Sequence, residues 1–431
     1  MEDKKPVYRS RRKAFASKID NGTAILASAP TCEHRYRQDS NFFYLTGFKE
    51  PESICVIAPD HPEHKFVLFV RPRDRDQEIW FGKRAGVEGA KSDYGADAAY
   101  PLDELDKELP KYFEKVEKIY YTLGSSENID AKVLGLLKRF RGERYKASVG
   151  PVSIVDPAEI VRNMRAIKDD HELKLMRKAA DISAEAHIAA MKAIKPGMYE
   201  YEVQAAIEYT FLKNGAAGPA YSTIAGAGDN ATCLHYDVND CMIEDGDLIL
   251  VDAGADYEHY TGDITRTFPA NGKFSDVQRE LYSIVLDAQM AAIEAIKPGA
   301  KMDEYHEKAV QVIVDGLMGL GLLKGERDKI IEDKEFRKFY MHNTGHWLGL
   351  DTHDVGRRKM EDDSVRPFEP GMVVTVEPGI YIAEDIDEVD EKYRGIGIRI
   401  EDDVLVTADG REVLTEKTPK TIEDIETLMK D

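Results

Sequence analysis

Four acidic residues sit at matched places in this chain. Gly246 leads through Leu248-Ile249-Leu250-Val251 to Asp252, and Gly371 leads through Met372-Val373-Val374-Thr375-Val376 to Glu377, six residues in each case. A second acid follows each, Asp263 in Gly262-Asp263-Ile264 and Glu401 in Ile398-Arg399-Ile400-Glu401, where each reads as the end of a further strand. Asp252 and Asp263 are eleven residues apart, which suits paired strands of a hairpin through Asp256-Tyr257-Glu258. A carboxylate at the end of an apolar strand is costly to bury uncompensated. Four together repel until protons or cations relieve them. One such acid reads as a solvated strand end; four at matching positions read as a site. His346 is the fifth member. It lies in His342–Asp354, where His342, His346 and His353 put three of the chain's eleven histidines within twelve residues. Gly345 and Gly349 there permit close backbone approach to a ligand. One histidine with four carboxylates is a hard, oxygen-rich set that suits Mn²⁺ first, and also Co²⁺, Fe²⁺ or Zn²⁺. Four carboxylates balance two dications. A water bridging two such ions loses its proton near neutral pH and attacks a carbonyl or phosphoryl group.

These residues need elements to hold them. Leu175, Ala179, Ile182, Ala186, Ala190 and Ala193 recur at helical steps behind Asp169 or Asp170, either of which can cap the helix. The helix stops at Ala193-Ile194-Lys195-Pro196-Gly197, and the same five residues return 102 positions later as Ala295-Ile296-Lys297-Pro298-Gly299. Each copy precedes a second helical stretch, from Tyr201 and from Asp303. With the matched strands this predicts a duplicated α/β unit whose pseudo-twofold axis brings the four acids together. The period is too long for a solenoid. Upstream, Ser53–Ala58, Lys65–Val70 and Ile119–Tyr121 read as strands, 104–116 as a helix and 151–157, with two prolines, as a linker.

The chain has 431 residues and a formal charge of −21, with 42% hydrophobic residues. So acidic a surface disfavours nucleic acid and anionic membranes while admitting cations and free amines. No apolar h-region follows the basic N-terminus, and no run reaches the length of a membrane span. Cys32, Cys55, Cys233 and Cys241 form no Cys-x-x-Cys pair and read as reduced thiols of a cytoplasmic protein.

Leu250-Val251-Asp252-Ala253-Gly254, Gly262-Asp263-Ile264-Thr265-Arg266-Thr267-Phe268, the His346 segment, Val376-Glu377-Pro378-Gly379 and Gly397-Ile398-Arg399-Ile400-Glu401-Asp402 resemble the "pita-bread" metallopeptidases, and among them the aminopeptidase P (Xaa-Pro aminopeptidase) family. Tyr36–Phe48 and Glu78-Ile79-Trp80-Phe81-Gly82 resemble its N-terminal domain. The resemblance implies an α/β fold in two domains. The first, at 1–160, is an α/β domain like that of creatinase and prolidase, serving oligomerisation and the cleft edge. The second, at 161–431, is a catalytic pita-bread α+β domain with the internal duplication. It implies two divalent metals, with Asp252 on one, Asp263 and Glu401 bridging, and His346 and Glu377 on the other. Glu377 would also take the proton from the attacking water. His235 would lie near the substrate, and His353 would steady the tetrahedral intermediate. His342 would line the cleft, Arg399 and Tyr381 would support the carboxylates and substrate, and Trp80 would reach a neighbouring subunit's cleft. The implied reaction removes the first residue from peptides with proline second, through a hydroxide bridging the metals, in a homodimer or homotetramer. Prolidase, cleaving only Xaa-Pro dipeptides on the same fold, is the nearest alternative. Creatinase and non-catalytic peptidase-like modules lack the ligand set present here.

Overall fold

The computed structural model describes residues 4–31, 35–147 and 150–430, so Cys32 lies outside the described residues. The chain forms two compact units, Met1–Met164 and Arg165–Asp431. The first is built on a mixed six-stranded sheet of β1 (Gly22–Ala27), β2 (Ile54–Ile57), β3 (Phe66–Val70), β4 (Ala98–Pro101), β5 (Lys118–Tyr120) and β6 (Ser153–Val155), in the order β4-β3-β2-β1-β5-β6. Strands β2 and β3 are buried at every residue, so both sheet faces are covered; this is why they read as unbroken apolar runs. Two expectations change here. The 104–116 stretch is not one helix but 3₁₀ turns at Leu102–Glu104 and Leu109–Phe113 around an α-turn at Leu105–Glu108. Pro110 supplies no backbone N–H and breaks the ladder. The 151–157 segment is not a free linker either. Its prolines bracket β6, which pairs in parallel with β5 at the sheet edge, where a short strand beside proline is tolerated. Asp39, in the Tyr36–Phe48 motif, caps the Ser40–Thr46 helix by accepting from the Phe42 N–H at 2.7 Å.

The second unit holds the duplication. Its first half pairs the Asp170–Ala193 and Glu200–Lys213 helices with a group of short strands: β7 (Gly218–Pro219), β8 (Ile224–Ala227), β9 (Leu248–Asp252), β10 (Ala255–Tyr257), β11 (Tyr260–Thr261) and β12 (Thr265–Pro269). The second half pairs the Asp276–Ala295 and Glu304–Gly319 helices with β13 (Val373–Val376), β14 (Gly379–Ile382), β15 (Ile396–Arg399), β16 (Asp402–Val406) and β17 (Arg411–Val413). Asp169 caps the first helix in a box with Glu172. Leu175, Ala179, Ile182, Ala186 and Ala190 are buried, while Ala193, in the last turn, is exposed.

The strand pattern repeats. β9 runs antiparallel to β12 with Asp252 opposite Thr265, and β13 antiparallel to β16 with Val376 opposite Asp402. Between the partners lies a hairpin, β10–β11 in one half and β14–β15 in the other. The first turns at Glu258 and His259, both at positive φ. Asp263 and Glu401 therefore do not end strands. Each sits in the step where the chain leaves the hairpin and enters the next sheet, and that step frees its side chain from the ladder's alternation. The halves are bonded across the centre. The Glu401 N–H donates to the Thr265 carbonyl at 3.0 Å, the Asp263 N–H to Asp403 Oδ2 at 3.2 Å, and the Arg399 N–H to Thr267 Oγ1 at 3.1 Å.

Close backbone passage at Gly254 holds the strand end after Asp252. A Cβ there would lie 1.7 Å from the Gly262 carbonyl oxygen, which belongs to the main chain beside Asp263 and cannot yield. Gly254→Ala is expected to lower stability by about 3 kcal/mol in denaturant unfolding. Gly319→Ala, where a Cβ meets nothing within 4 Å, is expected to be neutral or slightly stabilising.

Candidate metal centre

A cavity of about 560 Å³ opens in the second unit. Asp252, Asp263, His346, Glu377, Glu401, His235, His342, His353 and Arg399 all line it, joined by Tyr221, Asn343, Thr352 and Asp237. The acids come from the two symmetric strand groups, and the histidines from the 342–353 segment and the loop after β8. One ligand atom each from Asp263, His346 and Glu401 can be chosen so that all lie within 4.8 Å of one another. His346 Nε2 is 3.5 Å from Asp263 Oδ2 and 3.7 Å from Glu377 Oε1. Its Nδ1 is 3.0 Å from the Trp347 carbonyl, an acceptor only, so Nδ1 carries the proton and the Nε2 lone pair faces the carboxylates. Burial pushes this imidazole down to about 4, which keeps it neutral at pH 7.

Arg399 organises the opposite side. It is buried and holds Asp252 Oδ2 at 2.6 Å through Nη2. Its Nε donates to Thr265 Oγ1 at 3.1 Å, and that hydroxyl donates to Glu401 Oε2 at 2.7 Å. Its Nη1 donates to the Tyr381 hydroxyl at 3.1 Å, and Tyr381 in turn donates to His342 Nε2 at 2.8 Å. His342 Nδ1 donates to the Asn343 carbonyl at 2.8 Å, so Nε2 is free to accept, and burial lowers its pKa to about 4. Tyr381 is almost wholly buried behind the cavity wall and works through these two contacts. Trp80 is not among the lining residues. It lies in the first unit on the Arg75–Phe81 helix, 80% exposed beside exposed Ile79 and Phe81.

Burial raises the pKa of Asp263, Glu377 and Glu401 well above the usual carboxylate range, and the neighbouring acids add to it: Asp252 and Asp403 on Asp263, Glu401 on Glu377, Asp263 on Glu401. Arg399 alone cannot offset this much buried negative charge. A donor set of four carboxylates and one neutral imidazole with its lone pair turned inward fits two divalent cations, which would remove the repulsion.

Sequence reasoning missed Tyr221 and Thr265. The Tyr221 hydroxyl lies 2.7 Å from Asp252 Oδ1 and 2.5 Å from Asp263 Oδ1, spanning both acids. It sits between β7 and β8 with no periodic neighbours to mark it. Thr265 was visible only as part of a motif, because its role depends on contact with Glu401, 136 residues away. A second acidic group, Glu200 with Asp240 and Cys241, could also gather round an ion. Glu200 is spent otherwise: its oxygens accept from the Ala227 and Cys241 N–H groups, Asn230 and the Tyr236 hydroxyl. It fixes the loop that carries His235.

Residues 174–408 match metallopeptidase family M24, and residues 8–120 match the aminopeptidase P N-terminal domain. The Xaa-Pro aminopeptidase of Escherichia coli K12 is 42% identical over 430 residues, spanning 98% of this chain and 97% of the relative. Pseudomonas aeruginosa aminopeptidase PepP superposes with a TM-score of 0.96 at 47% identity, over 99% of this chain and 98% of that one. Zn-substituted E. coli aminopeptidase P in complex with product superposes with a TM-score of 0.95 at 42% identity, over 100% and 99%.

Arg399→Lys keeps the charge but cannot reach Asp252, Thr265 and Tyr381 together. Metal retention after dialysis against a weak chelator is expected to fall about 10- to 100-fold, with little change in the folding transition.

Proposed function

The chain belongs to metallopeptidase family M24, and we propose that it is a metal-dependent aminopeptidase that removes the first residue from peptides with proline in second place. The observation that carries this reading is one cavity lined by Asp252, Asp263, His346, Glu377 and Glu401 together with His235, His342 and His353. Two divalent metals, Mn²⁺ in the first instance, with Co²⁺, Fe²⁺ or Zn²⁺ able to substitute, would supply Lewis acidity toward the scissile carbonyl and make a nucleophile available at neutral pH. Asp252 would hold one ion, Asp263 and Glu401 both, and His346 and Glu377 the other.

The protein's own groups would do the rest. Glu377 takes the proton from the attacking water and delivers it to the departing proline nitrogen. That nitrogen needs the proton because an unprotonated amide nitrogen is too basic to leave when the C–N bond breaks. An Xaa-Pro bond is also a tertiary amide with no N–H, so it cannot be held by a backbone clamp that requires that donor, and the carbonyl and the free α-amine must serve as handles. His353 donates to the developing oxyanion, and His235 stands beside the substrate on the loop fixed by Glu200. The acidic wall attracts the incoming ammonium group. Trp80 would complete the cleft of a neighbouring subunit in a homodimer or homotetramer. The exposed free thiols Cys233 and Cys241 suit a reducing cytoplasm.

The alternative, a dipeptidase, is separated by substrate length. With Mn²⁺ added, Arg-Pro-Pro is expected to be cleaved after arginine much faster than Gly-Pro is hydrolysed; cleavage of dipeptides alone would overturn the proposal. Chelation should abolish turnover and metal should restore it. Asp263→Asn is expected to fold normally, by melting temperature, and to lose at least about 100-fold in kcat. Near-normal turnover in that variant would refute the bridging role.

A further inference from the structure

We infer that Asp354, held by Arg165 and Lys168, is a positioning residue for His353. This rests on the role given to His353 above. Asp354 is a buried carboxylate with two buried cations on it. Arg165 Nη2 ion-pairs with Oδ1, and Lys168 Nζ lies 3.2 Å from Oδ2. The same Arg165 nitrogen is 2.6 Å from Asp351 Oδ2. Almost none of Arg165, Lys168 or Asp354 reaches solvent, and the Asp354 carboxylate meets a cation at each oxygen. Neither cation touches the cavity, and neither Arg165 nor Lys168 figures in any step of the reaction above.

What this group holds is a closed loop with a site histidine at each end. The Asp354 N–H donates to the Trp347 carbonyl at 2.9 Å, closing residues 347–354. His346 immediately precedes the loop, and His353 is its last residue before the closing N–H. The Trp347 carbonyl also accepts from His346 Nδ1, so one oxygen receives both the loop closure and the proton that fixes the His346 tautomer. The two rings meet edge to face, 4.4 Å between centroids. The loop is built to admit the carboxylate: a Cβ at Gly349 would lie 2.1 Å from Asp354 Oδ2 and 3.0 Å from Lys168 Cε. The Gly349 carbonyl is pinned from outside by the Thr261 N–H at 2.9 Å and the Thr261 hydroxyl at 3.1 Å. Lys168 is itself anchored, its N–H donating to the Gly371 carbonyl at 2.8 Å at the start of the run into β13 and Glu377. Beyond the bridge from Trp347 to Val374 and the Leu348 N–H bond to the Val373 carbonyl, residues 349–354 have no regular secondary structure, and the buried ion group stiffens them. Without it, His353 would sample positions away from the oxyanion, and turnover would suffer more than binding.

The test is a double-mutant cycle. Asp354→Asn keeps the shape and removes the charge that Arg165 and Lys168 grip. Its kcat is expected to fall at least tenfold, with KM and metal content within twofold of the parent. In a His353→Ala background the same change should alter kcat by less than twofold, because the residue it positions is already gone. Arg165→Lys, retaining charge, should recover part of the activity lost in Arg165→Gln. Parental turnover in Asp354→Asn, or an equal loss in both backgrounds, overturns the proposal. Full activity in His353→Ala alone would instead remove the role given to His353. If Asp354→Asn does not fold, Arg165→Gln goes through the same cycle, with the same expected and overturning results.

Discussion

The second unit answers to one electrostatic constraint: carboxylates from two distant stretches of chain share a cavity whose lining carries Arg399 as its arginine, with Arg358 acting on Glu377 from beside it. Burial raises the pKa of Asp263, Glu377 and Glu401, and bringing acids together there raises it further. Such a group favours divalent cations, which would keep the acids ionised. The surrounding fold is arranged to keep them close in spite of themselves, through main-chain bonds from Asp263 and Glu401 to the opposite half and a hydroxyl, Tyr221, set between the two aspartates.

Around that centre the supporting groups divide by what they hold. Arg399 holds oxygens, reaching Asp252 directly and Glu401 through Thr265. The Trp347 carbonyl holds a tautomer, and the Tyr381 hydroxyl orients a neutral His342. The result is a set of side chains whose protonation states follow from their hydrogen-bond partners. A neutral imidazole whose second nitrogen is already committed can offer its lone pair only inward.

Much of this was readable from the chain alone, because the chemistry is written at strand ends and strands leave local patterns. Gly246 to Asp252 and Gly371 to Glu377 stand out as an apolar run closed by an acid, and the returning Ala-Ile-Lys-Pro-Gly marks the duplication. What stayed hidden is long-range. Tyr221 lies 31 residues from Asp252, and Asp354 lies 189 from Arg165; no periodicity links such pairs. Local breaks mislead for a related reason. The 104–116 stretch has helical spacing, but one proline outweighs it, and 151–157 has a linker's prolines around three residues that complete a sheet. Asp263 and Glu401 stand in the crossing between sheets rather than at strand ends, since a change of sheet leaves no mark in alternation.

The bonds that join the two halves have a consequence for how such a site could arise. Asp252 and Asp263 belong to one half, and Glu377 and Glu401 stand at the corresponding places in the other. The contacts from Thr265 to Glu401, Thr267 to Arg399 and Asp263 to Asp403 are what a subunit interface would be if the halves were separate chains. A single ancestral half, paired with its own copy, would already present four acids about a twofold axis. Joining the copies end to end releases them from identity. Only then can one half acquire His346 and the 347–354 loop while the other supplies Tyr221, and a symmetric cation trap becomes a cleft with two unlike ends, able to tell the front of a peptide from its back.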